Sequence, residues 1–137
     1  KQLMDEIEEA CEGKCMRIDG TTPTEKRHEY VQDFQAGKYQ VAVLSMLAAG
    51  TGITLTSASH VIFAELYWVP GVLLQSEDRV HRIGQENPCH IQYVICENTL
   101  DAYMYKAIQF KLDTIDGCLD QRDDRNFKGE DKIYDMI

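Results

Sequence analysis

Gln75, Arg79 and Arg82 are the side chains in this sequence best equipped for chemistry, within Gln75-Ser76-Glu77-Asp78-Arg79-Val80-His81-Arg82-Ile83-Gly84-Gln85. If the stretch is helical up to Gly84, these three fall at i, i+4 and i+7, so one amide and two guanidiniums share a face. That face is too polar for a core. A planar guanidinium stays charged at any working pH and suits bidentate contact with phosphate, so the pair points to a phosphate ligand. The competing reading is a solvated face held by ion pairs to Glu77 and Asp78.

The elements around this stretch decide between the two readings. At 137 residues, 44% hydrophobic and 27% charged, the chain suits one domain with one sizeable core. A net charge of −9 argues by itself against a nucleic-acid surface, but the charge is uneven. The first twelve residues hold five acids and one base, and residues 113–137 hold eight acids and four bases, so the middle is near neutral. A local basic groove is therefore compatible with the total. Five cysteines (Cys11, Cys15, Cys89, Cys96, Cys118) form no CxxC pair, which indicates neither a disulfide framework nor a zinc site. The expectation is a reducing compartment and no disulfide partner. No apolar run approaches a membrane span, and the opening residues lack a signal peptide's charged and apolar regions. The chain opens inside a helical pattern without a start signal, as expected of a fragment of a longer protein.

Leu3, Ile7, Ala10 and Cys11 form one face of an amphipathic helix. Its Asp5-Glu6-Ile7-Glu8 is not an acidic magnesium box, because no apolar strand precedes it. Lys14 to Ile18 predicts a short strand, followed by a loop at Asp19-Gly20-Thr21. Thr22-Pro23-Thr24-Glu25 predicts a helix start, with Thr22 as cap and Glu25 reaching back as a capping box, and Gly37 marks the stop. Val41 to Leu44 is a continuous apolar run, as in a parallel strand covered on both faces. Two glycines, Gly50 and Gly52, follow this strand, and they fit either a backbone that approaches a ribose, a phosphate or another chain closely or a plain structural turn, which the spacing alone does not separate.

His60 to Ala64 and His90 to Cys96 are further strand candidates. Asn98 and Asp101 are placed to cap a helix over 99–116, on which Leu100, Met104, Ile108, Leu112 and Ile115 recur at helical spacing. Beyond it, 117–137 reads as an acidic polar tail or linker. Alternating strands and helices imply a parallel sheet with helices on both faces, with ligands beyond the carboxyl ends of the strands.

Four blocks, in order, resemble the second RecA-like lobe of Swi/Snf-type ATPases in helicase superfamily two: Arg17-Ile18-Asp19-Gly20-Thr21-Thr22; Leu44-Ser45 through Gly50-Thr51-Gly52-Ile53-Thr54-Leu55; Trp68-Val69-Pro70; and Gln75 through Asp78-Arg79 and His81-Arg82-Ile83-Gly84-Gln85. Within that family, Phe63-Ala64-Glu65-Leu66-Tyr67-Trp68 followed by Pro70-Gly71 is similar to the annealing-helicase, fork-remodelling group. The resemblance implies an α/β fold, a RecA-like parallel sheet sandwiched by helices, over residues 1–116, truncated at its N-terminal edge.

The resemblance also implies roles. Arg79 and Arg82 match arginine fingers acting on the γ-phosphate of ATP, and Gln75, Gly52 and Ile53 match residues beside the nucleotide. Thr21, Thr22, Ser45 and Thr51 match contacts to DNA phosphates, and Trp68 matches an aromatic that touches DNA. A half-buried packing tryptophan is the alternative for Trp68. Many relatives carry Asn where Thr54 stands, and the segment Met46 to Ala49 also departs from their pattern.

ATP and magnesium are expected to be bound mainly by a first RecA-like lobe, because no G-x-x-x-x-G-K-[ST] loop occurs here. The expected partners are that lobe and double-stranded or forked DNA, and the expected location is the nucleus. The isolated chain is expected to be inactive. An RNA-directed helicase lobe and a non-catalytic protein-interaction module are the rival readings.

Overall fold

The computed structural model describes residues 2–49, 52–119 and 132–136. The elements run α1 (Gln2–Ala10), β1 (Cys15–Ile18), α2 (Thr24–Gln35), β2 (Val41–Leu44), α3 (Met46–Ala49), β3 (His60–Phe63), α4 (Pro70–Glu77), β4 (Cys89–Tyr93), α5 (Leu100–Leu119) and β5 (Lys132–Met136). Every strand pairing is parallel, as the alternation predicts. The hydrogen-bonded ladder falls into two sets, β1–β2 and β3–β4–β5. In the first, Cys15 is opposite Val41 and Ile18 opposite Leu44. In the second, His60 is opposite His90 and Cys89 opposite Lys132.

Side-chain burial joins what the ladder leaves apart. Met16 and Ile18 of β1 share one core cluster with Phe34 of α2, Ile53 and Leu55 of the glycine loop, Val80 and Cys89. Phe63, Leu73, Ile91, Tyr93 and Ile108 form a second cluster that fastens α4 and α5 to β3 and β4. Period-two alternation is clearest in β4, where Cys89, Ile91 and Tyr93 are buried. β2 is less enclosed than its apolar run implies, since Val41 is exposed and Val43 buried. α1 buries none of its residues. It is tied to β1 by Arg17, whose guanidinium meets Asp5 and Glu8 on the helix and Asp19 beyond the strand.

Several predicted helix ends move. α2 starts at Thr24, its cap is Pro23 at φ −58 and ψ 149, and no side chain bonds to its first turn. Thr22 is diverted: its hydroxyl accepts from the Asp19 N–H at 3.0 Å, so the capping box with Glu25 does not form. The predicted stop at Gly37 is present. Its φ of 78 lets the Lys38 N–H reach back to the Asp33 carbonyl at 3.0 Å.

At α5 the cap is Thr99, which accepts from the Asp101 N–H at 3.2 Å, whereas Asn98 takes a left-handed φ of 60 just before it. α5 runs to Leu119, three residues past the predicted end, and 132–136 form a strand where a tail is predicted. Ile115 and Cys118 lie where only the backbone is described, and the polar run 120–131 falls outside the described residues.

Candidate nucleotide and nucleic-acid site

The helix predicted to carry the arginines stops at Glu77. Val80 N–H and His81 N–H both close on the Glu77 carbonyl at 3.0 Å, and Arg82 N–H on the Val80 carbonyl at 3.1 Å. Gln75, Arg79 and Arg82 therefore do not share a helical face. Gln75 is exposed on the last turn of α4, whereas half-buried Arg79 and exposed Arg82 lie in the turn beyond it.

Packing accounts for the break. Val80 is buried with Ile53, Leu55 and Cys89, and the Leu55 N–H takes the Arg79 carbonyl at 2.8 Å, an acceptor a continuing helix would have used itself. Glu77, only 1% exposed at the break, accepts a 2.5 Å bond from the Tyr93 hydroxyl on β4.

The same turn holds the glycine loop. Arg82 Nη1 donates to Thr54 Oγ1 at 3.0 Å, so with the bond between Leu55 and Arg79 two contacts join 52–55 to 79–82. Gly52 is exposed at φ 74, and a Cβ there would meet nothing within 4 Å, so its contribution is the left-handed backbone. Ile53 is buried, so its side chain belongs to the core and only its backbone is available to a ligand. Thr51 and Gly50 lie outside the described residues. The anchoring role of Thr54 was not legible in the sequence; its place two residues after Gly52 was the one available signal. Gln85 is also a fastener, donating to the Ala58 carbonyl at 2.6 Å.

Thr21, Thr22 and Ser45 come together at the carboxyl ends of β1 and β2, where the Ser45 N–H donates to the Ile18 carbonyl at 3.0 Å. Asp19 organises this corner. Its Oδ1 accepts from the Thr21 hydroxyl at 2.6 Å and the Thr21 N–H at 2.9 Å. Those two bonds, the hydroxyl's first, together with the Arg17 guanidinium, hold the Asp19 carboxyl down at about 2. Both donors of Thr21 are thereby engaged, so a phosphate would have to compete with Asp19 for them. Arg27 braces the loop from α2, donating to the Thr22 carbonyl at 2.8 Å and the Asp19 carbonyl at 3.1 Å. Ser45 Oγ accepts from the Ala48 N–H at 3.4 Å, at the start of α3.

Trp68 stands apart from both groups. At 44% exposed it belongs to neither core cluster, and its carbonyl accepts from Lys111 Nζ of α5 at 2.9 Å.

Residues 1–84 match the helicase conserved C-terminal domain. The SWI/SNF-related matrix-associated actin-dependent regulator of chromatin subfamily A-like protein 1 homolog of Caenorhabditis elegans is 48% identical over 101 residues, which cover 73% of this chain and 15% of that protein. The DNA annealing helicase and endonuclease ZRANB3 of Mus musculus is 44% identical over 117 residues, covering 85% of this chain and 11% of its own length. The chain thus spans about a tenth to a seventh of these curated relatives. Among solved structures, the C-terminal part of the Fun30 ATPase domain superposes with a TM-score of 0.72 at 26% identity, over 78% of this chain and 35% of that one. The parallel strands, the glycine loop bonded to the arginine turn, and these matches agree: the chain belongs to the helicase conserved C-terminal domain family, as a RecA-like second lobe of the Swi/Snf type.

Proposed function

We propose that the parent protein is an ATP-driven translocase on double-stranded or forked DNA, of the annealing-helicase kind, and that this lobe supplies Arg79 and Arg82 to ATP held mainly by a first RecA-like lobe. The observation that carries the proposal is the double fastening of the arginine turn to the glycine loop, Arg82 to Thr54 and Arg79 to Leu55. Phosphoryl transfer needs positioning and charge stabilisation more than covalent chemistry, and a braced guanidinium provides both. The fit to a nucleotide rests on the donor set, cationic at Arg79 and Arg82, beside an exposed left-handed backbone at Gly52. Gln75 is assigned to the same nucleotide, and Ile53 contributes through its backbone.

Magnesium is assigned to the first lobe with the phosphates. Among the described residues of this lobe no group of three or more His, Cys, Asp or Glu side chains could hold a metal. On the DNA side, Thr22 and Ser45 contact the phosphate backbone, Thr21 does so in exchange for its bonds to Asp19, and Thr51 joins them. Trp68, exposed beside α5, packs against the nucleic acid. Closure of the two lobes on ATP brings in the arginines and shifts this grip. Relatives named as chromatin regulators and DNA helicases support a nuclear location.

The decisive measurement is duplex-stimulated ATP hydrolysis by the full-length protein carrying Arg82→Ala. A lost finger lowers turnover by about 10³–10⁵-fold. Near-normal turnover in a folded variant would overturn the assignment, and stimulation by RNA in preference to duplex DNA would overturn the substrate.

A further inference from the structure

The loop between β1 and α2 is stapled from the helix side by Arg27, in the first turn of α2. Its Nε donates to the Thr22 carbonyl at 2.8 Å and its Nη2 to the Asp19 carbonyl at 3.1 Å, so one half-buried guanidinium spans both ends of the loop. Between those ends the Thr22 N–H reaches the Asp19 carbonyl at 3.2 Å, and the Asp19 N–H reaches the Thr22 hydroxyl at 3.0 Å. The C=O of a trans peptide and the N–H that follows it point opposite ways. A carbonyl of Asp19 turned toward Arg27 therefore turns the N–H of exposed Gly20 away from the guanidinium.

We propose that Arg27 is a positioning residue for the grip on DNA: it sets the posture of Asp19 to Thr22 and touches no phosphate itself. The inference rests on the reading that this corner meets the DNA backbone, and extends it to a residue outside the corner. A loop whose ends are fixed before DNA arrives does not have to be ordered on binding, a cost that otherwise weakens the contact. The planar fork suits this task because it holds two carbonyls at once, whereas a lysine would keep the charge on a flexible stem with a single point donor. Arg27 belongs to the corner away from Arg79 and Arg82, so its loss should change how much duplex is needed rather than how fast the saturated enzyme turns over.

The full-length protein, unsubstituted and as Arg27→Ala and Arg27→Lys, is titrated with duplex DNA while ATP hydrolysis is followed. Losing a charge-assisted staple in Arg27→Ala should raise the duplex concentration for half-maximal stimulation by about tenfold or more. Turnover at saturating duplex should stay within about twofold of the unsubstituted protein. Arg27→Lys should show most of the same loss, and it carries the test if the alanine variant fails to fold. Binding of a fluorescein-labelled duplex is then measured across a range of salt. The slope of log affinity against log salt should be unchanged in both variants, because a deleted phosphate contact would lower it by about 0.9. A lower slope, full rescue by lysine, or a fall confined to saturated turnover overturns the positioning role. If duplex stimulates the unsubstituted protein and the variants match it, that role alone fails. If duplex does not stimulate the unsubstituted protein, the DNA reading fails and the role with it.

Discussion

A guanidinium on a long side chain must lose several rotors before it can meet a phosphate in one geometry, and Thr54 removes part of that freedom for Arg82. Thr54→Val keeps the shape and deletes the acceptor. For an exposed hydrogen bond worth about 0.5–1.5 kcal/mol, the ATP turnover proposed for the full-length protein should fall by no more than about tenfold, far less than for Arg82→Ala. A loss as deep as that of Arg82→Ala would mean that Thr54 does more than orient the arginine. At Asp19 the prediction concerns pH. Its carboxyl is held at about 2 against an ordinary 3.8, so the folded state binds the proton less readily than the unfolded state. Its contribution to stability is complete above the unfolded value and is lost as pH falls through about 2. Between about pH 4 and pH 2 the urea midpoint should drop more steeply for the parent chain than for Asp19→Asn. Equal slopes would show that Thr21 and Arg17 do not depress this group. That Arg79 and Arg82 are suited to a phosphate ligand was legible from residue type alone. The anchoring of one by Thr54 was not, because the two are 28 positions apart and only the fold brings them together.

Among the elements, α4 is where sequence reasoning went furthest astray. Pro70 at its start was readable, but nothing in Gln75 to Arg82 resembles a stop signal: no glycine or proline intervenes before Gly84. The stop comes from tertiary structure, with Val80 drawn into the core and the Arg79 carbonyl taken by Leu55. Glu77 marks the end from inside, and Tyr93→Phe tests how much that matters. Removing the phenolic donor to a buried carboxylate should cost about 1–3 kcal/mol, read as a lower urea midpoint with an unchanged slope. An unchanged midpoint would show that the other interactions of Glu77 suffice. The strands were readable to within one to three residues at their ends because apolar runs in parallel pairs carry a plain pattern. β5 was hidden, since Lys132 to Met136 lies inside an acidic stretch with weak periodicity.

Taken as a whole, the molecule joins three of the four sequence blocks into two corners, one of Arg79, Arg82, Gly52 and Thr54, the other of Asp19, Thr21, Thr22 and Ser45, and leaves the block of Trp68 outside both. The blocks were legible because each joins unusual residues at fixed spacing. Their grouping depends on strand order and on bonds far apart in sequence, such as Ser45 to Ile18. With no phosphate cradle anywhere in its 137 residues, the chain by itself should release no phosphate from ATP above the buffer rate, with or without duplex DNA. Measurable turnover by the purified chain would place a complete site within it and remove the need for a first lobe.

The bond from the Leu55 N–H to the Arg79 carbonyl has a practical use as well. It makes one amide proton a reporter on the posture of the arginine turn. While the turn is seated, that proton is sheltered from exchange with solvent. If closure of the lobes tightens the turn, exchange at Leu55 slows, and if the turn must swing out to reach ATP, exchange quickens. A single resonance thus distinguishes an arginine turn that is already set from one that is rebuilt when ATP is added.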